Sequence, residues 1–240
     1  MHINETDFEL QVQSLPIPMK LYLDKVLPPN QRRHMVPLTT TARQTGSFFA
    51  AKEWYPFSSA IMASIIPGFV WEAHVEILNM PNRILQTFID NKGSIITKAW
   101  GKVPMIQVEE EEPYILFWLA MAPLCPQIFS QTTKTANDVP LIKWNSIQDL
   151  TFCSAQLVDE CEDETFYIML YFHQDSKYLK SIKVESSKLL RSWQVNYEDY
   201  QDLDEGVIVP TRIEIGKWHG NEFKPHMNIL NHHLKYDSRG

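Results

Sequence analysis

Glycine is scarce in this chain, eight in 240 residues, and none of it is gathered into a phosphate-cradling loop, which argues against a nucleotide site of that kind. Positive charge is scarce too. Twenty-two lysines and arginines against twenty-nine carboxylates leave a formal charge of -7, whereas a general nucleic-acid binder carries a basic face. The same balance disfavours adhesion to anionic lipid. Three cysteines, Cys125, Cys153 and Cys161, cannot all pair with one another and form no Cys-x-x-Cys. They read as free thiols in a reducing compartment. No apolar run approaches the roughly 20 residues of a bilayer span; Tyr114 to Phe129 comes nearest and is broken by Pro123 and Pro126. The N-terminus, Met1 to Asp7, is polar and acidic, unlike a signal peptide, so the expected location is cytoplasmic.

Alternation of apolar and polar residues is plentiful. From Phe69 to Ile77, Phe69, Trp71, Ala73, Val75 and Ile77 fall on one side of an extended chain, and Glu72, His74 and Glu76 on the other. Side chains on a strand alternate faces, so this is a strand with one dry face and one charged face. A second run, Ile84 to Asp90, and a third, Ser94 to Gly101, flank Asn91-Lys92-Gly93, a hairpin signal. Period-two segments recur from Met35 to Gly46, and Ser47 to Trp54 and Phe57 to Ile66 also read as extended. Beyond residue 140, Leu141 to Asn145, Leu150 to Val158, Phe166 to His173, Tyr178 to Glu185, Trp193 to Tyr200, Val207 to Lys217 and Glu222 to Tyr236 follow. The run Phe166 to His173 is apolar on both faces and is therefore expected at the centre of a sheet.

Two helices interrupt the strands. Pro16 and Pro18 introduce the first, with Met19, Tyr22, Leu23, Val26 and Leu27 on one stripe before Pro28-Pro29 ends it. The second begins where Glu109 to Glu112 and Pro113 mark a helix N-terminus, the carboxylates facing the positive end of the dipole. Its body, Tyr114 to Met121, is apolar nearly all round and must be covered on most sides. The expectation is a mainly β fold with a minor α part. About ten to eleven antiparallel strands form a curled sheet or unclosed barrel, with a helical lid or plug against its concave face. Residues 1–14 are expected as a flexible lead-in and 15–240 as one half-barrel domain, with helices near 18–27 and 113–129.

Chemistry leaves few traces. There is no Gly-x-Ser-x-Gly elbow and no His-Glu-x-x-His helix. His219, His226, His232 and His233 cluster near the C-terminus, but a metal needs ligands converging from fixed backbone, and Asn228 and Asn231 suggest a bulge between them. Asp199, Asp202, Asp204 and Glu205 do not match a calcium loop and read as a polar hairpin tip. Glu72 and Glu76 flank His74 on the charged outer face, away from any cleft that would shift their pKa values. Neither a metal nor a cofactor is expected. The seven tryptophans are mainly core material, yet an apolar space between sheet and helix, lined by Phe57, Phe69, Trp71, Phe117, Trp118 and Met121, suits a ligand of drug or lipid size. Met62 and Met169 are expected in the same wall.

Leu15-Pro16-Ile17-Pro18, Pro67-Gly68-Phe69-Val70-Trp71-Glu72-Ala73, Ala99-Trp100-Gly101, Trp144, Asp199-Tyr200, Gly206, Val209-Pro210 and Lys217-Trp218 occur in that order. With these blocks the chain resembles, over roughly residues 14 to 236, an uncharacterised and mainly bacterial family known only as a domain of unknown function. The tail Tyr200-x-x-x-x-x-Gly206-x-x-x-Pro210 is also similar to the last strands of the outer-membrane lipoprotein carriers LolA and LolB. That likeness implies an unclosed antiparallel barrel holding acyl chains under a helical lid. The expected function is therefore non-catalytic binding of a hydrophobic small molecule or acyl chain. The alternatives are a small hydrolase-type enzyme with acid and base drawn from separate strands, and a protein-interaction module using exposed sheet edges.

Overall fold

The alternation of buried and exposed side chains decides where the strands lie. A computed structural model describes residues 12–27, 39–64, 68–77, 79–89, 92–99, 103–108, 112–130, 142–145, 149–159, 164–186, 192–203 and 206–237. The first half contains helix α1 (Ile17–Val26) and strands β1 (Thr39–Ala50), β2 (Glu53–Ser64), β3 (Phe69–Ile77), β4 (Met80–Ile89), β5 (Lys92–Ala99) and β6 (Val103–Val108). A helical connection follows: α2 (Glu112–Met121) and the 3-10 turns Ala122–Leu124 and Pro126–Ser130. The second half holds β7 (Ile142–Trp144), β8 (Phe152–Asp159), β9 (Glu164–Phe172), β10 (Leu179–Ser186), β11 (Ser192–Asp202), β12 (Ile208–His219) and β13 (Glu222–Asp237).

All of these strands belong to one 13-stranded antiparallel sheet in the order β6-β5-β4-β3-β2-β1-β13-β12-β11-β10-β9-β8-β7. Each half is a meander in which every strand pairs with its neighbours in sequence. The halves join at the middle, where β1 pairs β13 from Thr39↔Asp237 to Phe48↔Met227. The outer strands β6 and β7 are not paired to each other among the described residues, so the curled sheet is unclosed.

This topology dictates the position of the cover. The chain leaves the sheet at one edge, β6, and rejoins it at the other, β7, so the intervening segment has to traverse a face. It takes the dry one. Tyr114 sits against Gly93 of β5 and stacks on Phe88 of β4. Leu119 O accepts from Tyr197 Oη of β11 at 3.3 Å, and Leu124 O accepts from Tyr236 Oη of β13 at 2.9 Å. From Tyr114 to Phe129, every described side chain is buried. Helix α1 covers the remainder of this face with Met19, Tyr22, Leu23 and Val26, the stripe expected from its i, i+3, i+4 spacing. Tyr22 packs edge-on to Phe129 of the second 3-10 turn and beside Phe172 of β9.

The sheet departs from the sequence expectation in three places. The strand count is thirteen rather than ten or eleven. Val103–Val108 is a strand that no expected run covered, and Ser47 to Trp54, expected as one extended run, is a hairpin turning at Ala51 and Lys52. Both adopt positive φ, at 48° and 70°, as the tight hairpin geometry demands, but neither is a residue that signals such a turn. Second, β9 is not central: it is third from the β7 edge, and its outer face exposes Tyr167 and Tyr171. Tyrosine keeps its hydroxyl in water while lying on a sheet, so an outer face carrying Tyr167 and Tyr171 did not require burial on both sides. Third, Met62 lies on the exposed face of β2, out of phase with buried Ile61 and Ala63, and Met169 is half-buried beside Tyr171 Oη. Neither joins the apolar wall; only Met121 does.

The cover's contact with the sheet is close enough to test. A Cβ added at Gly93 would stand 1.8 Å from Tyr114 Cδ2, so the Gly93→Ala variant must push the start of α2 off the sheet. Its expected cost is about 1–3 kcal/mol, as for other overpacked core sites, read as a lowered urea midpoint. An unchanged midpoint would mean that Tyr114 does not rest on β5.

Candidate functional site

The floor of the dry face is aromatic because period two puts Phe57 on β2, Phe69 and Trp71 on β3, and Phe88 on β4 on the same side. The cover adds Phe117, Trp118 and Met121 from α2. The rings interlock: Phe57 meets Trp71 edge-on at 5.5 Å, Phe69 lies 5.0 Å from Phe117, and Trp71 lies 5.4 Å from Phe117. Phe57, Phe69, Trp71, Phe117, Trp118 and Met121 are each no more than 5% exposed. Phe57, Phe69, Trp71 and Phe117 thus meet at one buried seam between sheet and cover, with Met121 beside Gln44 of β1 and Trp118 buried next to Phe117 on the same helix. Trp118 Nε1 is buried there without a hydrogen-bond partner among the described residues.

A polar strip runs through this seam. Gln44 of β1 is 2% exposed. Its Oε1 accepts from Ser59 Oγ of β2 at 3.2 Å and from Trp71 Nε1 of β3 at 3.1 Å. Its Nε2 donates to Asn231 Oδ1 of β13 at 2.9 Å and to Met121 Sδ of α2 at 3.6 Å. Asn231 Nδ2 in turn donates to Pro210 O of β12 at 3.0 Å. The strip crosses β3, β2, β1, β13 and β12 and reaches up to the cover. Sequence reasoning did not single out Gln44 or Ser59, and read Asn231 only as a bulge signal. The signal was present: Gln44 continues the inward parity of Thr40 and Ala42, Ser59 that of Phe57, and Asn231 that of Ile229. A polar residue in a dry register needs a buried partner.

The remaining candidate chemistry is dispersed. Burial pushes the Cys125 and Cys153 thiols up to about 12, leaving them protonated and poor nucleophiles near neutral pH; Cys161 lies outside the described residues. Burial also raises Tyr22, Tyr197 and Tyr200 well above the ordinary phenol value. No group of three or more His, Cys, Asp or Glu side chains is placed to hold a metal among the described residues. Two bulges on β13 separate the histidines. His226 is the extra residue opposite Ile215/Gly216, and His232 the one opposite Arg43/Gln44. His232 Nε2 lies 2.6 Å from Thr45 Oγ1. His226 packs near Trp193, and burial, then Lys217 and His219, lower its pKa.

Glu72 is held by two 2.7 Å bonds from Arg83, which lower its pKa, and lies 3.3 Å from His74. This is a partly exposed ion pair of the kind that adds little stability. Asp202 Oδ1 accepts from the Gly206 amide at 3.1 Å, as a hairpin cap does; Asp204 and Glu205 lie outside the described residues. On the opposite side of the sheet, a groove of about 740 Å³ is lined by Thr45, Ser47, Asn196, Arg212, Glu214 and Leu230 among others. Its Glu214 already accepts from Asn196, and its Arg212 is flanked by Glu198 and Asp199.

Comparison with known proteins gives a family and a set of distant shapes. The sequence profile of a family described as "Family of unknown function (DUF6920)" matches residues 13–230. No curated protein matches the chain. Among solved structures, it is similar to a DUF1329 family protein from Desulfovibrio piger, at 9% identity and a TM-score of 0.47, over 97% of this chain and 92% of that one. It is similar to a LolA superfamily protein from Nitrosomonas europaea, at 8% identity and a TM-score of 0.46, over 100% and 96% of the two chains. A putative outer membrane lipoprotein-sorting protein domain from Vibrio parahaemolyticus shows 6% identity and a TM-score of 0.44, over 82% and 85%. At such scores no function passes from them to this chain.

The polar strip makes a thermodynamic prediction. Gln44→Leu leaves Ser59, Trp71 and Asn231 short of partners, and Asn231→Leu strands one Gln44 donor. With about 1–3 kcal/mol for each buried group left unpaired, each single variant is expected to lose on the order of 3 kcal/mol by urea unfolding. The double variant should lose clearly less than the sum, because the two amides satisfy each other. Strict additivity would show that they are not coupled.

Proposed function

Since the chain belongs to the family of unknown function DUF6920, its role has to come from its own geometry, and we propose that it binds a hydrophobic or lipid-like ligand between sheet and cover, without chemistry. The observation that carries this reading is the nature of the cover. An aromatic sheet face is sealed by a crossover segment, not by a second sheet, and that segment is held mainly by apolar contact. Its polar ties to the sheet include Tyr197 to Leu119 O, Tyr236 to Leu124 O, and Gln44 to Met121 Sδ, the last to a weak acceptor. A long acyl chain taken in between floor and α2 offers both of them the apolar contact they now give each other, so the buried apolar area changes little.

Opening without a ligand is a different matter. Exposing Phe117, Trp118, Leu119 and Met121 together costs on the order of 6–12 kcal/mol at about 1.5–3 kcal/mol each. The seam therefore stays shut until a ligand enters between floor and cover, and opening is coupled to binding. The unpartnered Trp118 Nε1 lowers that cost, since its donor reaches water when the cover lifts. The occupant is a hydrophobic small molecule or an acyl chain. The protonated thiols and the dispersed carboxylates and histidines support a binder over the hydrolase alternative. Among the described residues no helix is long and apolar enough to cross a membrane. The cytoplasmic location expected from the N-terminal residues has no bearing on this reading.

Titration with cis-parinaric acid, an acyl chain that fluoresces in a dry site, is expected to give saturable binding near one per chain. Hydrogen exchange of the Tyr114–Phe129 amides should quicken when the probe is bound, because the cover leaves the floor. Absence of saturable binding, together with lipid-free protein on solvent extraction, would overturn the reading.

A further inference from the structure

Resting on that reading, we propose that Gln44 is the residue that recognises the ligand's polar end, and that this end is a hydrogen-bond acceptor of the acyl carbonyl class: an ester, amide or carboxylic acid. The orientation of the Gln44 amide follows from its partners. The indole N–H of Trp71 can only donate, so the atom it meets at 3.1 Å is the amide oxygen. Ser59 Oγ donates to the same oxygen at 3.2 Å. The nitrogen must then face β13 and the cover. Asn231 is fixed in the same way, because Pro210 O only accepts, and the Asn231 amide nitrogen must be the atom facing it at 3.0 Å. That leaves Asn231 Oδ1 to take one Gln44 N–H at 2.9 Å.

Every hydrogen-bonding position of Gln44 but one is thus satisfied by the sheet. The last N–H points at the cover and meets Met121 Sδ at 3.6 Å, a thioether and a weak acceptor. When α2 lifts, this donor loses its partner while the rest of the strip stays intact, so the floor presents one oriented N–H in an aromatic trough. A hydrocarbon would leave it orphaned. A carbonyl oxygen seated where Met121 Sδ lies would satisfy it better than the sulfur does, and would set the depth to which the chain slides along Phe57, Phe69 and Trp71.

Two probes of matched chain length test this: methyl palmitate, which carries the acceptor, and hexadecane, which does not. Each competes with bound cis-parinaric acid, its concentration corrected for partition into a common detergent micelle. On the wild-type protein the ester is expected to displace the fluorophore at roughly one tenth the concentration of the hydrocarbon, the worth of one buried hydrogen bond. Gln44→Met, similar in volume but without the donor, is expected to abolish that difference while retaining hydrocarbon binding. If this variant does not fold, the side-chain amide resonances of Gln44 in ¹⁵N-labelled wild-type protein replace it; they should shift with the ester and not with hexadecane. Equal displacement by the two probes, or amide resonances that ignore the ester, would overturn the assignment while leaving apolar binding intact. Failure of cis-parinaric acid itself to bind would instead strike at the binding reading.

Discussion

One face of a wide antiparallel sheet must be kept from water, and among the described residues the link between its two meanders does most of that. Strand order turns the requirement into geometry. With β1 and β13 paired at the middle and β6 and β7 at the rims, the described part of the connection, residues 112–130, runs across the sheet. Its apolar content follows from its path. A helix with a dry floor beneath, followed by a turn that α1 covers through Tyr22 on Phe129, gains nothing from a polar face, which accounts for Tyr114 to Met121 being greasy nearly all round. Gly93 fits the same logic, since the helix can descend onto β5 only where no side chain stands in Tyr114's way.

The polar strip follows from the same constraint. Aromatic floors tolerate sliding, because apolar contacts are not directional. Gln44, Ser59, Trp71 and Asn231 pin five neighbouring strands in one register through bonds that are satisfied only when each strand is in place. Buried polar groups give specificity at the expense of stability in some folds. Here they lie across the β1–β13 junction, where the two ends of the chain meet and where register is least protected by a short connecting turn. The bulge at His232 lies immediately beside that junction and shifts the alternation by one, so that Asn231 and Leu234 both face inward.

Much of this was legible in the residues. β3 runs from Phe69 to Ile77 as alternation required, α1 buries the stripe its spacing indicated, and the carboxylates before Pro113 announced a helix that does begin there. Phe57, Phe69, Trp71 and Phe117 are in ring contact because each position depended only on parity or on a helix apolar on all sides. What stayed hidden depends on partners far away in sequence. Ala51 and Lys52 are held at positive φ by the pairing of β1 with β2, not by any preference of their own. Gln44 reads as an ordinary polar residue until Asn231, 187 positions distant, comes alongside. Tyr167 and Tyr171 looked like core because hydropathy does not tell a phenol that covers a surface from one that fills an interior.

The junction between β1 and β13 also sets an order of events at the ribosome. The N-terminal meander emerges early and can pair within itself, but Thr39–Ala50 remains an open edge until the final strand, Glu222–Asp237, has been made. Until then the nascent chain displays an unpaired strand edge, the surface on which strands of other chains dock and aggregate. A chain that stalls or is cut before residue 222 never loses that surface. Holdase chaperones and degradation machinery would meet it as an adhesive half-sheet, and the last strand is what ends that exposure.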